Sequence, residues 1–207
     1  MKRYIALMAG GLLVVLAGCG SGADQSTLSI NSKGRVTVVT VENFDKPYYD
    51  FEELEETVDQ AVSEYNSRQD DDRIRVKTCS EDQKKQEVRV TLEYDSCEDY
   101  REFNQRELFR GTVAEASDTY DFDDVFLDSQ GEETDAASIL ADYGNAEVIV
   151  LQEPVRVETP EDILYVSDNV QILEKRAAKV QSDGSRDNEN ADTSIYEYAY
   201  IIYLNEK

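Results

Sequence analysis

The sequence predicts an α+β fold: a single domain, mostly antiparallel sheet, with two principal helices and a strand-rich C-terminal half. Three observations carry that prediction. Short runs of β-branched and aromatic residues recur between turn-forming residues along most of the chain. Two segments, opening at Asp50 and Ser96, set apolar residues at helical spacing behind a capping side chain. The composition is that of a folded protein, since 40% hydrophobic residues with 13 Tyr and 6 Phe are too apolar for wholesale disorder.

The elements follow in order, and the first stretch stands apart from the domain. Lys2 and Arg3 give a positive start, Tyr4 to Leu16 form an apolar run broken only by small residues, and Leu16-Ala17-Gly18-Cys19 closes it. A membrane-spanning helix needs ~20 apolar residues, so this run is short for a span and its layout fits a processing signal with small residues before the cut. An uncleaved anchor helix, or an ordinary signal cut near Gly20 or Ala23, would leave Cys19 an incidental thiol. The tetrad at this position resembles the lipobox of bacterial lipoproteins. The resemblance implies a diacylglyceryl group on the Cys19 thiol and cleavage just before it. Residues 1–18 are then the signal peptide, 19–27 the lipidated Cys and a flexible Gly/Ser-containing tether, and 28–207 the extracytoplasmic α+β domain. Two acyl chains on one residue give stable anchoring, and the expected address is the cell membrane, extracytoplasmic face.

Charge narrows the partners. Asp and Glu number 45 against 21 Lys and Arg, a net charge of −24, which deepens by two when Lys2 and Arg3 leave with the signal. Phosphate backbones and anionic headgroups repel such a surface, so nucleic acid is argued against and the lipid on Cys19 must supply the membrane attachment.

Leu28 to Ile30 and Arg35 to Val41 flank the turn signature Asn31-Ser32-Lys33-Gly34 and predict a hairpin. Lys46-Pro47-Tyr48-Tyr49 ends the second strand. Asp50, with Glu53 three residues on, opens the clearest helix, whose apolar face is Phe51, Leu54, Val58, Ala61, Val62 and Tyr65. Its Glu-rich first turns suit the helix dipole; they read either as a solvated face or as a surface for a cation or basic partner. A second hairpin is predicted from Arg73 to Cys79 and Glu87 to Tyr94. It puts Cys79 at the turn and Cys97 beyond the far end, too distant for a disulfide, whose Cα atoms lie within about 7 Å. Ser96 then caps a helix with Tyr100, Phe103 and Leu108 on its apolar side, and Gly111 to Ala116 reads as a strand.

Residues 118–142 form an acidic middle with Asp118, Asp121, Asp123, Asp124, Asp128, Glu132, Glu133 and Asp135. Clustered carboxylates suit hard cations, yet the spacing lacks the EF-hand pattern, and a solvated loop is the preferred reading. Val125 to Leu127 reads as a strand and Ala136 to Tyr143 as a helix ending at Gly144. Val148 to Leu151 is an apolar run suited to a strand covered on both faces. Ile163 to Val166 and Val170 to Leu173, about Ser167-Asp168-Asn169, predict a hairpin, and Ala177 to Val180 with Tyr196 to Leu204 a last pair joined by a polar segment. Tyr196, Tyr198 and Tyr200 share one face of that last strand, as a sugar-stacking row or as cross-strand packing.

The chain has no His, which removes His-assisted nucleophiles and His-ligated metal sites. No phosphate loop or nucleophile elbow is present, and no cofactor or metal ligand set is expected. Paired carboxylates hydrolyse glycosides without His, but no pair is singled out. The body, notably around Phe44-Asp45-Lys46-Pro47-Tyr48-Tyr49-Asp50-Phe51, Glu107 to Ala116 and Ala141 to Leu173, is similar to small uncharacterised lipoproteins of clostridia-like bacteria. That similarity implies an α+β extracytoplasmic domain and no catalytic residues. The expectation is a non-catalytic binding or structural module with a protein partner in the cell envelope. The alternatives are a cation or small-solute receptor and a carboxylate-based hydrolase.

Overall fold

The computed structural model describes residues 25–181 and 197–204. The class is α+β with mostly antiparallel sheet, as the sequence predicts, and the described residues form four helices and thirteen strands. Two compact units divide it, one up to Gln105 and one from Arg106 onward.

In the first unit, strands β1 (Thr27–Ile30) and β2 (Val36–Asn43) form the predicted hairpin, pairing Leu28 with Val38 and Ile30 with Val36. Asn31 makes the turn. Its Oδ1 accepts the N–H groups of Lys33 and Arg35, and Gly34 supplies the positive φ of 82° that an L side chain resists. Strands β3 (Ile74–Asp82) and β4 (Glu87–Tyr94) form the second hairpin, and the four strands run in the order β1-β2-β4-β3. β3 runs into the predicted turn, ending at Asp82, so Cys79 sits inside the strand opposite Val90.

Helix α1 (Phe51–Asn66) starts where Asp50 accepts the N–H groups of Glu52 and Glu53 at 3.0 and 3.3 Å. It buries Leu54, Val62 and Tyr65 and packs on β3. Helix α2 (Cys97–Asn104) is capped by the Ser96 hydroxyl, which accepts the Asp99 N–H. It ends at Gln105 in left-handed conformation, φ 53°. Leu108, expected on its apolar side, belongs to the next strand instead.

In the second unit, β5 (Leu108–Thr112) precedes α3 (Val113–Thr119). The segment 111–116, read from its β-forming residues as a strand, is mainly helix. Thr112 accepts the Glu115 N–H while the Glu115 carboxylate accepts the Thr112 N–H, and this reciprocal cap outweighs the local strand preference. Then come β6 (Val125–Asp128), β7 (Glu133–Asp135), α4 (Ala136–Tyr143), β8 (Glu147–Leu151), β9 (Arg156–Glu158), β10 (Ile163–Ser167), β11 (Val170–Glu174), β12 (Ala177–Val180) and β13 (Ala199–Tyr203).

Six of these strands order as β5-β8-β13-β10-β6-β7, while β11, β12 and β9 are neighbours in a different sheet. Both late hairpin predictions are therefore corrected: β10 pairs with β13 and β6, and β12 pairs with β11 and β9. The chain turns from one sheet into the other at Ser167-Asp168-Asn169. There the Ser167 hydroxyl bonds Asn169 and accepts the Tyr200 N–H, and the Asn169 amide donates to the Tyr198 carbonyl. These bonds fasten the corner to β13.

Val148 to Leu151 and Ala199 to Ile202 are fully buried, which fits β8 and β13 at the middle of the sheet with cover on both faces. Val113 and Ala116 of α3 and Ile139 of α4 close one face over Val148, Val150, Tyr200 and Ile202. Each such Val or Ile side chain contributes roughly 1.5–3 kcal/mol by leaving water.

Candidate functional site

Leu16, Ala17, Gly18 and Cys19, the predicted lipidation site, lie outside the described residues, as does the polar segment predicted between the last two strands. The described chain begins at Gln25. The Ser26 hydroxyl, just before β1, donates to the Val41 carbonyl and accepts the Val41 N–H at 3.0 Å. The described chain thus enters the sheet beside the end of β2.

The acidic middle divides into caps and a crowded patch. Asp128 accepts the N–H groups of Gln130 and Glu132, and Asp135 caps α4 through the Ser138 N–H, which holds its carboxyl below the usual range. Asp124 differs. Partial burial, and then the negative charges of Asp168, Glu197, Asp121 and Asp123, push its carboxyl up to about 6. Among the described residues no three Cys, Asp or Glu side chains converge closely enough to hold a metal ion.

A second carboxylate pair lies where α1 meets α2. The Tyr65 hydroxyl sits 3.1 Å from Asp99 Oδ1 and 3.1 Å from Glu102 Oε2, and the Ser96 hydroxyl donates to Asp99 Oδ2 at 2.6 Å. Burial and the two carboxylates push the Tyr65 phenol upward, so it stays protonated and donates. Glycosidase carboxylates flank a scissile bond with room for water or a sugar between them. These two flank a phenol, and the arrangement ties one helix to the other.

Glu42 is the carboxylate that the sequence reading missed. Along β2 the alternation Val36, Val38, Thr40, Glu42 places it on the same face as Val88 and Val90, opposite Val88 in the pairing. Among the described residues its Oε1 is the one buried side-chain oxygen or nitrogen without a hydrogen-bond partner, and burial pushes its carboxyl up to about 7. The signal was available: an acidic residue in phase with three inward positions of a strand.

A groove of about 580 Å³ runs between α1 and β3, lined by Asp59, Val62, Ser63, Asn66, Asp72 and Arg75. Two of its polar side chains are engaged at home. Asn66 donates to the Ile74 carbonyl and accepts from Arg73 and Ile74, and Arg75 grips Asp95 through two bonds of 2.7 and 3.2 Å.

No disulfide joins Cys79 and Cys97. Burial, with Glu55 and Asp59 nearby, pushes the Cys79 thiol up, away from reactive thiolate. Of the tyrosine row, Tyr196 lies outside the described residues and Tyr200 is wholly buried. The Tyr200 ring meets Phe122 edge-on and its hydroxyl donates to the Asp121 carbonyl. That ring is core, with no face left for a sugar. Tyr48 and Tyr49 are the exposed aromatics, 72% and 44% accessible.

No family model, no curated protein and no solved structure matches the chain. None of the helices among the described residues is long and apolar enough to cross a membrane.

Proposed function

We propose that this chain is a lipid-anchored extracytoplasmic protein, attached to the cell membrane through Cys19. Its folded part acts as a non-catalytic binding or structural module for a protein partner in the envelope. The observation that carries the reading is Leu16-Ala17-Gly18-Cys19 at the end of a short apolar run behind Lys2 and Arg3. Two features of the fold support a partner surface. β3 is an edge strand of nine residues, free to take an added strand on its outer side among the described residues. The charge of −24 favours a partner with a basic contact face.

Intact mass of the membrane-fraction protein tests the anchor. A mature chain starting at Cys19 with added acyl mass, lost in Cys19→Ser, is the expected result. An unmodified chain, or one retaining residues 1–18, overturns it. A second reading, a cation receptor, draws on Asp124, whose crowding by four other carboxylates an ion would relieve.

A further inference from the structure

We propose that the end of the first unit that receives the tether rests against the lipid–water interface, with Tyr48 and Tyr49 as the contacting side chains. The inference rests on the anchoring of Cys19 and adds to it a fixed orientation of the unit on the membrane.

The geometry comes from the strand pairing. β1 and β2 are antiparallel, and Ser26 is bonded to Val41, so the tether enters at the end where β2 leaves the sheet. The β3–β4 turn lies at that same end. Asn43 pairs with Glu87, and the Phe44 N–H donates to the Gln86 carbonyl at 2.6 Å. The Asn31 to Gly34 turn stands at the opposite end, and the length of β2 sets the two roughly 23 Å apart.

Six residue steps separate Cys19 from Gln25. Fully extended they reach about 20 Å, and as a flexible coil about 13 Å. An anchor on that tether keeps the β2 exit within a short distance of the headgroups.

What occupies this end is unusual for so acidic a chain. Tyr48 and Tyr49 are the only exposed large hydrophobic side chains among the described residues of the first unit. They are held as a preformed knot. The Phe44 and Tyr49 rings stack at 4.9 Å, Tyr48 meets Tyr49 edge-on at 5.0 Å, and the Tyr49 N–H closes a turn onto the Lys46 carbonyl. Lys46, Lys84 and Lys85 stand at the same end, outnumbered by Glu42, Asp45, Asp50, Glu81, Asp82 and Glu87, so net charge is not the attraction. A Tyr ring with an apolar body and a polar tip partitions to the headgroup level by itself.

The absence of Trp from the chain makes the test direct, because one introduced indole reports alone. Lipidated full-length Tyr48→Trp, Tyr49→Trp and Lys33→Trp are reconstituted into phosphatidylcholine vesicles carrying lipids brominated near the headgroup. The Lys33→Trp indole reports the opposite end. An interfacial knot would lie about 5–10 Å into the headgroup boundary. The expected result is several-fold stronger quenching of the Tyr48→Trp and Tyr49→Trp indoles than of the Lys33→Trp indole. Equal, weak quenching at both ends, with the protein still floating with the vesicles, overturns the docking and leaves the anchor standing. Protection of the Tyr48→Trp indole that grows with protein concentration without bromolipid quenching assigns the knot to a second copy and also overturns it. A chain that neither carries lipid nor floats removes the anchor, and the docking with it.

Discussion

Replacing Glu42 with Gln should stabilise the protein at alkaline pH and change little at acid pH. Glu42 sits on β2 opposite Val88, with Oε1 lacking a partner, and burial moves its carboxyl from an ordinary 4.5 to about 7. A raised carboxyl means that folding favours the protonated form. Its contribution is complete below about pH 4.5 and is lost as pH rises through about 7. At ~1.4 kcal/mol per pH unit the full displacement corresponds to about 3.5 kcal/mol. The group is only half-buried, and solvent screening reduces this to roughly 1–2 kcal/mol. Gln imitates the neutral acid, so it removes the alkaline penalty. Urea unfolding of both proteins at about pH 5 and about pH 8.5 reads the difference, and comparing the pair cancels the titration of the other carboxylates. The expected gap is roughly 1–2 kcal/mol in favour of Gln at the higher pH, shrinking to within about 0.5 kcal/mol at the lower. No gap at the higher pH would show that water reaches Oε1. An equal gap at both would show a packing effect without a charge.

Two further outcomes bear on the core and on the cation reading. Ile149→Ala, which empties a wholly buried position in β8, should cost about 2–5 kcal/mol in the same urea assay, while Leu173→Ala at a 38% exposed site should stay within about 0.5 kcal/mol. If the second unit is a cation receptor, millimolar calcium should raise its melting temperature, by up to about 2.7 kcal/mol of stabilisation at a hundred times the dissociation constant. Asp124→Asn should weaken that rise; no rise at all removes the cation reading.

Local signals carried most of what was legible in the sequence. The Asn31 turn, the Asp50 and Ser96 caps and the alternation in β4 each involve neighbours in the chain, and each leaves a readable pattern. The helix α3 was also written locally, as Thr112 and Glu115 at capping-box spacing, but Val113 and Thr112 drew the reading towards a strand. Pairing in the second half of the chain was not legible. Ser167-Asp168-Asn169 has hairpin composition, yet its bonds run to Tyr198 and Tyr200 of a strand far along the chain, and no local rule reports such a partner. The same distance hid the fate of Tyr200, whose cover comes from Phe122 and Phe126. At the candidate sites, the Leu16 to Cys19 tetrad, on which the proposed anchor rests, is a reading of order and size alone. The Tyr48–Tyr49 knot was visible as a motif, but its exposure and its place beside the tether needed the fold.

β13, the last of the described strands, occupies the centre of its sheet, between β8 and β10. A growing chain that has not yet released residue 203 therefore holds two half-sheets with a gap where their common neighbour belongs. Closure waits on the arrival of that strand, as slow non-local pairing does in other β-rich domains. For a chain exported as proposed, this delay keeps the second unit threadable until β13 has crossed. A chain stopped before residue 199 would keep two unsatisfied apolar edges where β13 belongs.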